Sequence, residues 1–139
     1  MKFLLDTCVL SEMVKPSPNR GVIRWVEKQA PEILATSAIT IGEIQRGISR
    51  LPDSRKKTEL AHWLENDLFA WFAEKILPMD ETVARAWGML QAASESQGRT
   101  LPVLDALIAA TAGVHRLTLV TRNEKDFSVA GIPILNPWN

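Results

Sequence analysis

The stretch from Leu101 to Thr121 reads LPVLDALIAATAGVHRLTLVT, and it decides the fold class. Its first part, residues 101–115, is apolar almost all round, which is typical of a buried helix. Residues 117–121 form a short apolar run that carries threonines, and this pattern predicts a strand. A helix that leads directly into a strand is a building block of folds in which helices and strands alternate.

The same alternation continues towards both ends of the chain. Short apolar runs predict strands at residues 3–5, 33–36, 76–77, 117–121 and 132–135. Helical spacing, capping residues and prolines predict helices at about residues 7–14, 19–31, 38–50, 55–74, 80–98 and 101–115, with a short polar turn or helix at 123–127. Strands that alternate with helices predict an α/β protein with a largely parallel sheet.

The composition is that of an ordinary globular protein. Its 139 residues predict one domain, spanning residues 1–139. With 46% hydrophobic and 23% charged residues, the chain differs from disordered, collagen-like and coiled-coil sequences. No apolar run approaches the ~18 residues that cross a bilayer, and Asp6 arrives too early for a signal peptide. A cytoplasmic protein with no membrane association is therefore expected.

The charge balance and the metal-ligand inventory exclude several function classes. Sixteen Lys and Arg residues balance sixteen Asp and Glu residues, which excludes a strongly basic coat but allows a local basic patch. Cys8 is the single cysteine, so an internal disulfide and a multi-thiolate zinc site are excluded. His62 and His115 are the two histidines, too few for a histidine-rich site. Any metal ion is therefore expected to bind oxygen atoms.

Two carboxylates stand where a charged side chain is costly. Asp6 follows the first predicted strand directly, and ligands of open parallel sheets bind beyond the carboxyl ends of the strands. Capping of the helix that begins at Thr7 is an alternative role for Asp6. Asp105 is a lone carboxylate in an apolar helix, where a buried ion pair or a helix cap is the alternative.

Two further acids lie in segments expected at the same edge of the sheet. Glu43 belongs to the predicted helix at 38–50, where a salt bridge to Arg46 is the alternative. Asp126 follows the clearest strand, where capping by Asn123 and a solvated Asp126 are the alternative. Converging carboxylates cannot all ionise without cations, and an all-oxygen cluster suits Mg²⁺ or Mn²⁺. Such an acidic pocket commonly activates water for attack on a phosphodiester.

Five motifs together resemble the PIN-domain ribonucleases, in particular the VapC toxins and their FitB-like branch. The resemblance extends over essentially the whole chain, and its motifs are specific because they occur in order and at family-like spacing. It is carried by Leu4-Leu5-Asp6-Thr7 with Ser11-Glu12, by Ser37-Ala38-Ile39-Thr40 leading to Glu43, by Asp105-Ala106-Leu107-Ile108-Ala109-Ala110-Thr111-Ala112, by Thr121-Arg122-Asn123 and by Asn136-Pro137-Trp138.

The resemblance implies a three-layer α/β/α PIN domain with a central parallel sheet. It implies a Mg²⁺- or Mn²⁺-dependent endoribonuclease that hydrolyses RNA phosphodiester bonds as the toxin of a type II toxin–antitoxin system. Asp6, Glu43 and Asp105 would be its core catalytic and metal-binding residues. The implied partners are a second copy of the chain in a homodimer, a small DNA-binding antitoxin, and operator DNA reached through that antitoxin. The implied location is the bacterial cytoplasm.

The fourth position of the implied metal site is open between two residues. FitB-like proteins often carry Asp where this chain has Asn123, whereas other VapC proteins rely on the acid that here is Asp126. We favour Asp126 as the ionised catalytic and metal-binding residue, with Asn123, Thr7 and Thr121 in supporting roles. Cys8 stands where many members have Asn, so a supporting role is not carried over to that position.

Basic residues near the acids are the expected substrate contacts. Arg46, Arg50 and Arg122 are predicted to bind RNA phosphates. The alternative function is a catalytically idle PIN domain that binds protein or DNA in a repressor complex. A flavodoxin-like receiver phosphorylated on Asp6 is less favoured, because it would leave Glu43 without a role. The intact set of acids favours the enzyme.

Overall fold

Five parallel strands form one sheet in the computed structural model, which describes residues 1–139. The strand order is β3-β2-β1-β4-β5, so β1 is central. Their bounds are Phe3–Leu5 (β1), Leu34–Ser37 (β2), Ile76–Leu77 (β3), Thr118–Val120 (β4) and Ile134–Leu135 (β5). In the register, Leu4 lies between Ala35 and Leu119. Because all strands run the same way, their carboxyl ends share one edge.

Helices connect each strand to the next, as the alternation of patterns predicts. Their bounds are Thr7–Met13 (α1), Arg20–Lys28 (α2), Ala38–Ser49 (α3), Arg55–His62 (α4), Phe69–Trp71 (α5), Glu81–Ser96 (α6), Val103–Val114 (α7) and Glu124–Phe127 (α8). A π-helical segment, Trp63–Leu68, joins α4 to α5, and short 3₁₀ turns cover Pro31–Ile33 and Ser128–Ala130. None of the helices is both long and apolar enough to cross a bilayer.

The sheet has a hydrophobic core on each face, because successive strand residues point to opposite sides. On one face, Leu5 and Val120 pack with apolar residues of α1, α2 and α3. On the other face, Leu4 and Leu119 pack with α7 and with Phe127 of α8. Helices on both faces of a parallel sheet confirm the three-layer α/β/α fold that the resemblance implied.

Side-chain caps fix where four of the helices begin. Asn19, Ser37, Ser54 and Asp80 each accept a hydrogen bond from the backbone N–H three residues later, at 2.9 to 3.2 Å. These bonds satisfy N–H groups that have no partner inside the helix. The helix starts that the sequence predicts at these residues are therefore confirmed.

The helix predicted at residues 55–74 differs from its prediction. Helical structure begins at Arg55, passes through the π-helical segment and ends at Trp71. The chain then turns into β3 through Glu74, whose φ of 66° lies in the left-handed region. A left-handed residue stops a helix because its backbone cannot continue the right-handed path.

The predicted burial of residues 101–115 is correct for Leu101 and for the middle of α7, but not for the first turn of that helix. The helix begins at Val103, after Pro102, and its first turn exposes 53% of Val103 and 42% of Leu104. Ala106, Ile108 and Ala109 are buried against the sheet. The first turn of α7 therefore exposes apolar side chains next to Asp105.

Candidate active site at the carboxyl edge of the sheet

Asp6 ends the central strand and is 4% exposed. Its Oδ1 accepts the Thr7 backbone N–H at 2.8 Å, and its Oδ2 accepts the Thr121 hydroxyl at 2.8 Å and the Cys8 thiol at 3.6 Å. Burial raises the pKa of Asp6 despite these hydrogen bonds. Asp6 therefore caps α1, as the alternative role predicted, and also places a carboxylate at the edge where ligands of parallel sheets bind.

Glu43 faces Asp6 across Thr7. The Thr7 hydroxyl donates to Glu43 Oε1 at 2.7 Å, while the Thr7 backbone N–H binds Asp6. The ion pairs of the chain involve Glu12, Glu59 and Asp53, so the expected alternative of a Glu43 salt bridge to a neighbouring arginine is wrong. One threonine thus holds two acids that lie 37 positions apart in the sequence.

Asp105 stands in the first turn of α7 and is half-buried. Burial, followed by the negative charges of Asp6, Glu43 and Asp126, raises the pKa of Asp105 to about 6. No cation pairs with Asp105, and α7 has no side-chain cap. Both alternatives for this carboxylate, a buried ion pair and a helix cap, are therefore wrong. The negative charges of the other three predicted acids therefore act on Asp105.

The two candidates for the fourth position contribute in different ways. Asp126 is exposed in α8, and its negative charge contributes to the raised pKa of Asp105. The backbone N–H of Asn123 donates to Thr121 Oγ1 at 3.1 Å, and the Asn123 side chain does not cap α8. Thr121 is fully buried, and its hydroxyl donates to Asp6 Oδ2, so the Asn123 N–H supports Asp6 indirectly. The roles of Asp126 and Asn123 at a metal ion stay predictions.

The donor atoms at this edge fit a hard cation. No three carboxylate, thiol or imidazole side chains are close enough to form a metal cluster as they stand, so the acids would have to approach one another around an ion. Burial and the charge of Asp6 raise the pKa of the Cys8 thiol to about 11. The acids at this edge offer carboxylate oxygens, which Mg²⁺ and Mn²⁺ prefer.

A groove of about 320 Å³ opens beside Glu43, the one of the four acids that lines it. Its lining includes Thr7 and the apolar side chains of Ile48, Leu60 and Trp63. Lys15 and Lys56 also line the groove, and Lys15 is paired with Glu12. The groove therefore combines an apolar surface with separated negative and positive groups.

The predicted RNA contacts are all exposed. Arg46 lies on α3, the helix that carries Glu43, and Arg50 directly follows the last residue of that helix. The Arg122 guanidinium lies 5.6 Å from the centre of the Trp138 ring, a cation–π distance that restrains it. Arg122 follows Thr121 directly, so its position is fixed at the acidic edge.

Sequence reasoning missed the contacts of two buried polar groups, one of them next to the site. Thr40 was identified only as part of a motif, yet its fully buried hydroxyl lies 3.3 Å from the Thr7 hydroxyl. Glu12 is 6% exposed and accepts from Lys15 Nζ and the Asn19 backbone N–H, each at 2.9 Å. The Lys15 bond lowers the pKa of Glu12. The position of Thr40 one turn before Glu43 was the available clue.

Comparison with known proteins assigns the chain to a family. The model of the family described as PIN domain matches residues 3–132. The chain belongs to the PIN domain family. This membership confirms the family that the five sequence motifs indicated.

Relatives of this PIN domain carry toxin and ribonuclease names. It is 38% identical over 136 residues to Toxin FitB of Neisseria gonorrhoeae, with 98% of each chain covered. It is 36% identical over 135 residues to VapC ribonuclease Y4jK of Sinorhizobium fredii, with 97% of this chain and 96% of that protein covered. The resemblance to VapC toxins and their FitB-like branch is therefore confirmed.

A solved structure shares almost the whole fold. The structure of FitAB bound to an IR36 DNA fragment matches this PIN domain with a TM-score of 0.93 and 36% sequence identity. The match covers 99% of this chain and 96% of that chain. The α/β/α architecture described above is therefore the architecture of that relative.

Proposed function

We propose that this PIN domain is a Mg²⁺-dependent endoribonuclease, active also with Mn²⁺, and the toxin of a type II toxin–antitoxin system in the bacterial cytoplasm. The observation that carries the proposal is Asp105, whose pKa is raised by burial and by the charges of Asp6, Glu43 and Asp126. Such crowding is unfavourable without a cation. The names of the Neisseria and Sinorhizobium relatives support a ribonuclease and a toxin.

The residues divide into ligands and groups that orient them. Asp6 and Asp105 would hold the ion directly, and Glu43 would hold it or orient the attacking water. When bound, Mg²⁺ would supply positive charge that stabilises the attacking and leaving oxygens of the phosphodiester. Thr7 fixes the positions of Glu43 and Asp6 relative to each other, because its hydroxyl donates to Glu43 and its backbone N–H donates to Asp6. Thr121 fixes the other oxygen of Asp6.

The fourth acid and the arginines would complete the substrate site. Asp126 is the proposed fourth metal-site residue, and Asn123 supports Asp6 through Thr121. Arg46, Arg50 and Arg122 would bind phosphates on either side of the cleaved bond. Contacts to phosphates give affinity for RNA but no sequence specificity. They therefore suit an enzyme whose RNA target is selected by its shape or by additional contacts.

We propose the groove beside Glu43 as the binding site of an antitoxin segment. The related FitAB structure is a complex bound to DNA, which supports an antitoxin and operator DNA as partners. The groove offers apolar side chains, such as Ile48 and Leu60, next to Lys15 and Lys56. An antitoxin segment with apolar and acidic residues would match this pattern and would cover the entrance to Glu43. A homodimer is the proposed state of the toxin itself.

An RNA cleavage assay tests the proposed activity. The purified protein is incubated with cellular RNA in Mg²⁺, in Mn²⁺ or in a chelator, and Asp105→Asn is compared with Asp53→Asn. Asp53 is a fully exposed carboxylate near Lys57 and away from the acidic edge, so it is a matched control. We expect cleavage with either ion, none with chelator, and a loss of about 100-fold or more in Asp105→Asn alone.

Two outcomes would contradict the proposal. Full cleavage by Asp105→Asn would remove Asp105 from the catalytic residues. No cleavage by the unaltered protein with either ion, together with intact antitoxin and operator binding, would support the catalytically idle alternative instead.

A further inference from the structure

A chain of three hydroxyl groups leads from the interior to Glu43. Ser37 Oγ lies 3.2 Å from Thr40 Oγ1, which lies 3.3 Å from Thr7 Oγ1, which lies 2.7 Å from Glu43 Oε1. Ser37 and Thr40 are both fully buried. Neither lines the groove, and the hydrogen bonds between these hydroxyl groups reach Glu43 only through Thr7.

The Thr7 hydroxyl is the donor towards both Glu43 and Thr40. It carries one proton, and its bond to the Glu43 carboxylate, at 2.7 Å, is the shorter of the two, so Thr40 Oγ1 at 3.3 Å is the second, weaker acceptor. Thr40 Oγ1 also accepts from the Ser37 hydroxyl, and Ser37 Oγ is itself held by the Thr40 backbone N–H at 3.0 Å. Thr40 Oγ1 is therefore fixed beside the Thr7 hydroxyl.

We propose that Thr40 is a positioning residue, whose hydroxyl fixes the Thr7 side chain so that Thr7 holds Glu43 in place for the metal ion and water. Both acceptors of the Thr7 hydroxyl lie on α3, so Thr40 Oγ1 limits the rotation of the Thr7 side chain while Thr7 donates to Glu43. Without Thr40 Oγ1, the Thr7 hydroxyl is held only through Glu43 and can rotate with it. The inference rests on the proposed function of Glu43.

The matched variants are Thr40→Val, which keeps the shape and removes the hydroxyl, and Thr40→Ser, which keeps the hydroxyl. We expect Thr40→Val to weaken Mn²⁺ binding in a calorimetric titration by roughly ten-fold, near the low end for residues that support metal ligands, because the Thr40 to Thr7 bond is long. We expect kcat for RNA cleavage to fall with it while KM changes little, and Thr40→Ser to restore both.

A measurement without metal separates this inference from the proposed function. Three-bond NMR couplings of the Thr7 methyl group report whether its χ1 angle occupies one rotamer or several. We expect one rotamer in the metal-free protein and in Thr40→Ser, and averaging in Thr40→Val. A single Thr7 rotamer in Thr40→Val would overturn the inference, as would unchanged Mn²⁺ affinity and kcat. An unaltered protein that neither binds Mn²⁺ nor cleaves RNA would refute the proposed function, whereas the Thr7 couplings would still decide the role of Thr40.

Discussion

Removal of the Asp105 charge should stabilise the metal-free protein at neutral pH while it destroys metal binding. Burial and three neighbouring negative charges raise the pKa of Asp105 from 3.8 to about 6 in the folded state. The folded protein therefore binds a proton at Asp105 more strongly than the unfolded chain does, and stability falls as pH rises from about 4 through about 6. Asp105→Asn removes this loss.

The size of the effect follows from the shift. Two pKa units correspond to ~3 kcal/mol, but Asp105 is only half-buried and solvent screens its neighbours, which reduces the expected gain to about 1 kcal/mol. In a domain of this length, that gain raises Tm by about 4 °C at pH 7.5. At pH 4, where Asp105 is protonated in the folded protein, we expect little difference.

Thermal unfolding followed by circular dichroism, with and without Mg²⁺, provides the assay. We expect Mg²⁺ to raise the Tm of the unaltered protein and to leave the Tm of Asp105→Asn nearly unchanged. The control Asp53→Asn, at an exposed carboxylate, should leave Tm and its Mg²⁺ response as they are. A lower Tm of Asp105→Asn at pH 7.5, or an undiminished response to Mg²⁺, would refute the electrostatic reasoning.

Two further predictions use the glycines, because their surroundings differ. A Cβ at Gly21 would lie 2.6 Å from the Pro137 carbonyl oxygen, so Gly21→Ala should displace the C-terminal residues and lower the unfolding free energy by about 1 kcal/mol in denaturant titration. A Cβ at Gly88 meets nothing within 4 Å, so Gly88→Ala should instead raise it by about 0.5–1 kcal/mol, and equal effects would contradict this contrast. Gly47 lines the groove and also has space for a Cβ, so Gly47→Met should weaken antitoxin binding without lowering Tm. The control Gly88→Met should bind the antitoxin as the unaltered protein does. Equal antitoxin affinities of the two variants would exclude the groove as the binding site.

The order of helices and strands could be predicted because each signal is local. Buried parallel strands such as Phe3–Leu5 consist of apolar runs that end at a polar residue, and caps such as Asn19 mark where helices begin. The end of the helical segment at Trp71 could not be predicted, because the apolar spacing continues through Phe72. There a left-handed Glu74 and the pairing of β3 with β2 decide where the helix stops.

The acids of the candidate site could be found, but not the bonds that hold them. Asp105 is conspicuous because it is the one charge in an apolar helix, and Asp6 because it ends a buried strand. The bond from Thr7 to Glu43 depends on how α1 and α3 pack, and no local pattern encodes that distance. For the same reason, the alternative of a Glu43 salt bridge with Arg46 is wrong, since Glu43 accepts the Thr7 hydroxyl across the site instead.

Asp6 and Asp105 carry similar charges at one edge, yet they are held in opposite ways. Asp6 accepts hydrogen bonds from Thr7, Cys8 and Thr121 and also caps α1, so its replacement must disturb the fold together with any chemistry. The forces on Asp105 are burial and repulsion, with no hydrogen bond that lowers its pKa. Such a carboxylate makes the metal-free protein less stable, and a bound cation, as proposed above, would reverse that effect. Asp105 is therefore the position at which stability and function can be measured separately. A metal site requires that Asp105→Asn raises the Tm of the metal-free protein while it abolishes metal binding.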